Sequence, residues 1–468
     1  MQIPFITTNV YEGNYPINFY YQQEGYLGKP AYLGTPGLTE WLDLSDNREV
    51  RGELPLNDSY AYVVCGNSVY RVSAGGVKDD VTGTLTTSSG RVQMATDGVD
   101  NVMIVDGVNG YYTSGTTLTE ITDVDFPTPV SVTWQDGWFV VVESGTGTLY
   151  NCENVNDPSG WNPLDFSSAE RNPDNSVRII TDHRELLVFG TASIEPYQNI
   201  GAANFPFAPV PSGYIELGIA AKESAAKLDN LVFFLASDFT IRKLQNYTPV
   251  IATPESLSRK IAGYTTKTDA IAYSFYYGSN GFYVLTFPSE NVTWVLNAAT
   301  ISQGLPTGAW HQWSSGLTKG RHRSNCHMFF AGKNLVGDYA NGKIYEIDFG
   351  TYTDDGETIR RERITPQLFD PAGRNSLSYP RLEVEFKAGT GLITGQGSDP
   401  KAMLRYSDDG CRTWSNTKIK SVGKIGAYKD RSIWRQLGSS RHRNFELTVT
   451  DPVEWVITGA HSPVVVNK

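Results

Sequence analysis

The feature that most constrains this chain is a spaced series of β-hairpin signals. Each is an apolar, β-branched or aromatic run, a short turn, and a second strand that often ends in Tyr. Residues 60–65 turn at Gly66-Asn67 into 68–72, residues 101–105 turn at 106–110 into Tyr111-Tyr112, and residues 137–142 turn at 144–147 into 148–150. Residues 185–189, 231–235 and 281–287 open three more, followed by 193–197, 240–244 and 293–296. The seventh runs from 327–331 through a strand ending at Tyr339 to 343–347. First strands recur at steps of about 40 residues early in the chain and 46–50 later. That period leaves room for four strands per unit, which is the pattern of propeller blades, each burying both faces only against its neighbours. The expected fold is all-β: a β-propeller-like repeat body of six or seven blades over 60–350, with a stacked β-sandwich array as the competing arrangement.

Two segments flank this body. Residues 1–59, rich in Pro, Gly, Asn and Tyr, read as an extended N-terminal arm that lends one strand to the ring. Residues 351–468 read as a C-terminal β region that packs back on the propeller. In it, Pro380-Arg-Leu-Glu-Val-Glu-Phe and Asn444-Phe-Glu-Leu-Thr-Val-Thr alternate, so one face of each is expected buried, and 387–401 is a Gly-rich loop. Only 220–228 has the composition of a short helix.

Charge divides the chain the same way. Of its 468 residues, 1–356 carry a net −17 and 357–468 a net +6, for −11 overall. The acidic balance excludes a protein that clamps nucleic acid over its whole surface but not one that lets DNA slide past. The polarity implies two surfaces with different tasks. Cys65, Cys152, Cys326 and Cys411 are too scattered for a metal knuckle or redox pair and read as buried thiols of a reducing compartment. The N-terminus lacks the pattern of a signal peptide, and no apolar run is long enough to span a membrane.

No catalytic, cofactor-binding or metal-binding set is assigned. The stretch Ser407-Asp-Asp-Gly-Cys-Arg-Thr-Trp414 is close to the Asp box of sialidase-like propellers, with Cys411 in the slot where that pattern has Gly. An Asp box is a turn device, and a single one outside the repeat series argues for structure rather than glycan cleavage, which needs paired carboxylates or a Tyr nucleophile with Arg. Arg321-His-Arg323 and Arg441-His-Arg443 flank each histidine with cations, which disfavours a metal and suggests surface or interface roles. A basic, aromatic-containing stretch includes Lys429, Arg431, Trp434, Arg435, Arg441 and Arg443, the candidate partner interface. Its reading is docking on an acidic protein surface, with DNA binding as the alternative.

At these residues the sequence resembles the packaged-DNA stabilisation proteins, or tail nozzle and tail hub proteins, of short-tailed phages. Trp434-Arg-Gln-Leu-Gly438, Arg441-x-Arg443, Phe445-Glu-Leu447, Asp451-Pro-Val453 and Ile457-x-Gly-Ala460 are similar to the family's C-terminal signature. Upstream, Phe282-Tyr-Val-Leu-Thr-Phe-Pro, Thr293-Trp-Val and Gly308-Ala-Trp-His311 match in order, as do Tyr15-Pro-Ile-Asn-Phe-Tyr20 and Pro36-Gly-Leu38 near the start. An insertion at 301–307 departs from the family. The resemblance implies a hexameric ring in the virion tail, assembled in host cytoplasm below portal and adaptor proteins. It also implies contacts with a tail needle or plug and with tailspike or fibre proteins. Double-stranded DNA would pass through the lumen without sequence-specific binding. The alternatives are a sialidase-like or other glycan-acting propeller and a non-catalytic glycan-binding one.

Overall fold

The structure is a computed structural model that describes residues 2–5, 14–168, 174–302, 308–372 and 375–467. Most of the inserted stretch at 301–307 lies outside them.

Seven four-stranded antiparallel blades make up the body. Their first strands are Val50–Pro55, Gln93–Thr96, Pro129–Gln135, Ser176–Asp182, Ala226–Leu228, Ile271–Tyr277 and Ser324–Phe330. Each of these strands lies beside that of the next blade. Between blades 4 and 5 the 3-10 turn Lys222–Ser224 makes the contact, and Ser324–Phe330 returns to Val50–Pro55. Seven hydrophobic clusters follow the same order, each spanning two neighbouring blades. Strand parity explains how one sheet serves two clusters. In blade 1, Ala61, Val63 and Cys65 face blade 7, while Tyr62 and Val64 face blade 2. In blade 6, Tyr283, Leu285 and Phe287 face blade 5, and Phe282 and Val284 face blade 7. Blades 1 and 2 also touch at their outer strands, where Thr117 pairs with Thr82. Gly83 (φ +114) allows this approach, since a Cβ there would lie 2.9 Å from the Leu118 carbonyl oxygen.

The seventh blade takes its outer strand from the other end of the chain. Gly37–Asp43 pairs antiparallel with Lys343–Asp348, from Gly37↔Asp348 to Asp43↔Lys343. The hairpin Phe19–Tyr26 and Lys29–Gly34 enters a different sheet, with the order Phe19–Tyr26, Lys29–Gly34, Val456–His461, Arg381–Phe386, Ser432–Arg435. Residues 1–59, expected as one arm, are thus shared between the last blade, the first blade and this sheet. A second sheet (Arg361–Ile364, His442–Val449, Lys401–Ser407, Lys418–Ser421) packs on it to form a β-sandwich. The core contains Ile3, Phe19, Tyr32, Leu382, Trp434, Phe445 and Ile457. Residues 17–18 stitch sandwich to propeller. Ile17 bridges both Gln312 and Glu362, and Asn18 Nδ2 donates to the carbonyls of Ser314 and Arg360, each at 2.8 Å. Lys319 reaches the buried Glu362 carboxylate at 2.7 Å.

Four expectations need correction. Six of the hairpins occupy strands two and three of their blades, but the seventh begins on the first strand of its blade, Ser324–Phe330. Its inner strand is as apolar as its second, so periodicity could not separate them. Residues 220–228 do not form a helix: the Ser224 hydroxyl receives the Leu235 N–H at 3.0 Å, and Ala226–Leu228 fills a first-strand slot. Among the described residues the α-helices are Glu255–Ala262 and Ala298–Ser302. The strand His442–Val449 is buried on both faces after its first residue, not one. And His322 of Arg321-His-Arg323 is interior, packed on Trp313 at 5.1 Å between ring centroids.

Candidate functional site

The basic, aromatic stretch of the sequence becomes one end of the sandwich. The Gly-rich loop after Arg381–Phe386 is packed against residues 422–431. Gly389 (φ +80) lies under the Tyr428 ring, where a Cβ would be 2.5 Å from it, and Gly391 approaches the Ile425 backbone nitrogen. Leu392 N–H donates to the Gly397 carbonyl at 2.8 Å, closing the loop on itself. This packing holds Ile393, Ile419, Ile425 and Tyr428 out in solvent, the last 75% exposed, among the exposed cations Lys420, Lys424, Lys429 and Arg431.

Beside these loops lies a cleft of about 540 Å³. Its floor is the outward face of Arg381–Phe386, where Glu383 and Glu385 alternate with the buried Leu382 and Val384. Arg431 Nη1 stands 3.5 Å from Glu383, and His461 Nε2 stands 3.4 Å from Glu385. Gly459 opens the floor, since a Cβ there would come within 2.8 Å of Glu385 Oε2. Tyr26, from the N-terminal hairpin, forms part of the wall. Glu383, Glu385 and His461 were not legible as site residues; the only signal was their outward parity. The cleft offers charges of both signs over a polar floor.

The six candidate interface residues separate. Lys429 is exposed on the loops and Arg431 lines the cleft. Arg435 and Arg441 are exposed but do not line it. Trp434 and Arg443 belong to the interior and are withdrawn as interface residues. Trp434 is 1% exposed, and its Nε1 donates to the Lys418 carbonyl at 2.7 Å. Arg443 Nε and Nη2 donate to Asp408 at 2.7 and 2.8 Å, and its guanidinium lies 4.1 Å from the Tyr406 ring centroid.

The Asp box works as a turn. Asp409 accepts from the Thr413 hydroxyl at 2.6 Å and from the Arg412 and Thr413 amides. The Ser407 hydroxyl donates to Asp409 and accepts from Cys411 N–H at 2.9 Å. These bonds, that from the Thr413 hydroxyl foremost, hold the Asp409 carboxyl well below the usual range. Cys411 sits at φ +66, which explains why the pattern has Gly in this slot. Cys411→Gly is expected to leave stability unchanged or raise it by up to about 1 kcal/mol, because relief of left-handed strain outweighs added unfolded-chain entropy. Urea denaturation checks this, and a loss above ~1 kcal/mol would contradict it.

The other candidate for chemistry is the propeller axis. Its cavity is about 120 Å³. That is below the ~300–1,000 Å³ of small-molecule sites. Side chains from blades 1, 2 and 4 and from the turn before blade 5 meet around this one space, which leaves no bore for a duplex whose major groove alone is ~12 Å wide. Among the described residues no cluster of three His, Cys, Asp or Glu could hold a metal, and no helix is long and apolar enough to cross a membrane.

The chain is thus a seven-bladed propeller carrying a β-sandwich with loop-borne charge, and its Asp box is a turn. The sequence profile of the bacteriophage P22 Gp10 β-propeller matches residues 1–352, and that of the P22 Gp10 β-sandwich matches residues 360–464. The chain belongs to this family, the tail nozzle or packaged-DNA stabilisation proteins, and is a structural protein of a phage tail. No curated protein matches. Among solved structures, human WBSCR16 is similar at TM-score 0.37 and 9% identity, over 64% of this chain and 88% of that one. The extracellular domain of the putative one-component system BT4673 from B. thetaiotaomicron is similar at TM-score 0.36 and 13% identity, over 76% of this chain and 57% of that one. Likenesses this distant carry no argument about function.

Proposed function

We propose that six copies of this protein form the nozzle ring of a short-tailed phage, below the portal and adaptor proteins, assembled in host cytoplasm. The ring helps retain packaged DNA together with a needle or plug, forms the exit channel, and anchors tailspikes or fibres. The observation that carries this reading is the charge polarity of a family member: an acid-rich propeller and a sandwich whose exposed loops are basic. A cyclic ring joins two different faces of each subunit, and complementary potentials set their orientation. The loops bearing Lys424, Lys429 and Arg431 dock on an acidic surface of the neighbouring copy or of the adaptor. Since one propeller's axis is too narrow for a duplex, the channel runs between copies. Acidic walls there repel phosphates and let DNA pass without sequence-specific binding.

Reversing charge at Lys424, Lys429 and Arg431 together is expected to lower incorporation into tails, most strongly at low salt, with the difference from wild type shrinking as salt screens the charges, while the isolated protein keeps its unfolding midpoint. Quantifying the protein in purified particles assembled at several salt concentrations checks this. Wild-type incorporation at every concentration would overturn the docking role.

A further inference from the structure

At the propeller axis four blades contribute charge to one small space. Glu53 comes from blade 1, Arg91 and Gln93 from the entry to blade 2 and its first strand, Arg178 from blade 4 and Glu223 from the turn before blade 5. The remaining lining is small or apolar, as inner strands require. Burial disfavours the charge on Arg178, Glu223 supports it, and Arg91 is close enough to oppose it to a smaller extent. Arg178 Nη1 lies 3.6 Å from Glu223 Oε2, and Gln93 Nε2 donates to the same oxygen. Arg91 Nη1 donates to the Asn325 carbonyl at 3.3 Å. Arg178 Nε and Glu223 Oε1 are buried without a hydrogen-bond partner, Arg178 Nη1 has only the long contact to Glu223, and Arg91 and Glu53 share the weak Cys326 thiol as a side-chain partner. Native interiors seldom leave buried polar groups unmatched, so a cavity lined by these groups calls for a polar occupant.

Charge selects the species. Glu53 is only 8% exposed, and its other oxygen accepts from Gly337 N–H at 3.2 Å. Arg91, the Cys326 thiol and the Tyr273 phenol also bear on it. Burial outweighs Arg91 and pushes its carboxyl up to about 8, so near neutral pH it is a neutral acid able to donate. Two guanidiniums then line a cavity whose remaining carboxylate is that of Glu223, and N–H and O–H donors predominate around it. We propose that the axial cavity binds one small anion, of halide or formate size, between Arg91 and Arg178, tying together the first strands of blades 1, 2 and 4. The cavity volume of about 120 Å³ excludes a sugar acid or nucleotide.

The test compares unfolding of the intact protein in chloride, formate and gluconate at equal ionic strength. Formate and gluconate share the carboxylate and differ in size. The midpoint is expected to rise with the logarithm of chloride or formate concentration, by up to about tenfold in the folding constant per tenfold anion at saturation, and not with gluconate. Arg178→Gln should abolish this dependence, while Glu53→Gln, which mimics the neutral acid, should keep it. Should Arg178→Gln fold poorly, bromide soaked into crystals of the unaltered protein should give an anomalous peak on the axis. Equal midpoints in all three salts, or a bromide-soaked crystal with no axial peak, would overturn the proposal.

Discussion

Replacing Arg443 with Glu is expected to destabilise the sandwich by about 3–5 kcal/mol, the cost of placing an unpaired carboxylate in a buried site built for a cation. Arg441→Glu, two residues earlier, should shift stability by no more than about 0.5 kcal/mol. The difference lies in surroundings, since both residues are arginines of one motif. Arg443 is 1% exposed, gives two hydrogen bonds to Asp408 and one to the Leu437 carbonyl at 2.5 Å, and sits 4.1 and 4.9 Å from the Tyr406 and Tyr379 ring centroids. A carboxylate there would face Asp408 and lie against aromatic faces that favour cations. Asp408→Asn should cost less, because that side chain is 42% exposed and water can replace its partner. Urea unfolding midpoints of the two variants, compared with that of the unaltered protein, read the difference. If Arg443→Glu and Arg441→Glu unfold at the same urea concentration, Arg443 is not the fastener described. A tail-assembly defect in Arg443→Glu would report folding, not docking.

The motif containing Arg441 and Arg443 also shows where sequence reading stopped. It identified cations in a β region, but the Asp and rings that bury Arg443 come from other strands. The hairpins were legible because strands two and three of a blade are buried on both faces and joined by tight turns, as in 60–73. Outer strands were not: Lys78–Thr84 and Thr248–Ile251 are mostly exposed and carry little apolar signal. The strand Gly37–Asp43 was expected only as something lent to the ring, because its partner is about 300 residues away. In 220–228, helix propensity pointed the wrong way because a vacant inner-strand position outweighs a few tenths of a kcal/mol per residue. The axial cluster draws on four blades, so no local pattern could announce it. The exposed basic loops were legible as charge and composition, but the cleft beside them was not, since it needs Tyr26 and His461 from opposite ends of the chain.

Three histidines make the propeller sensitive to acid. His311 and His322 are held at about 3 and His327 at about 4, in each case by burial. Their polar contacts suit neutral rings: His311 Nε2 accepts from Trp313 Nε1 at 3.0 Å, His322 Nδ1 pairs with the Ser324 hydroxyl at 2.8 Å, and His327 stacks on Tyr273. An unfolded histidine takes up its proton near 6.5, so below that pH the unfolded chain binds more protons and stability falls with falling pH. At pH 5 each histidine removes about 2 kcal/mol, and the loss continues toward pH 3 to 4. Two carboxyls work in the opposite sense. Burial raises Glu53 to about 8 and Asp354 to about 6, so the folded chain gains protons there first and each adds stability as pH falls. Glu53 therefore favours folding on going from pH 8 to 7, and the histidines reverse the trend below about 6.5. The urea midpoint is expected to peak near pH 6.5–7 and to fall clearly by pH 5. His322→Gln should reduce the slope of stability against pH between 5 and 6 by about one proton, whatever its effect on stability at pH 7. Equal midpoints at pH 7 and pH 5, or an unchanged slope in His322→Gln, would show that these rings do not enter the propeller uncharged.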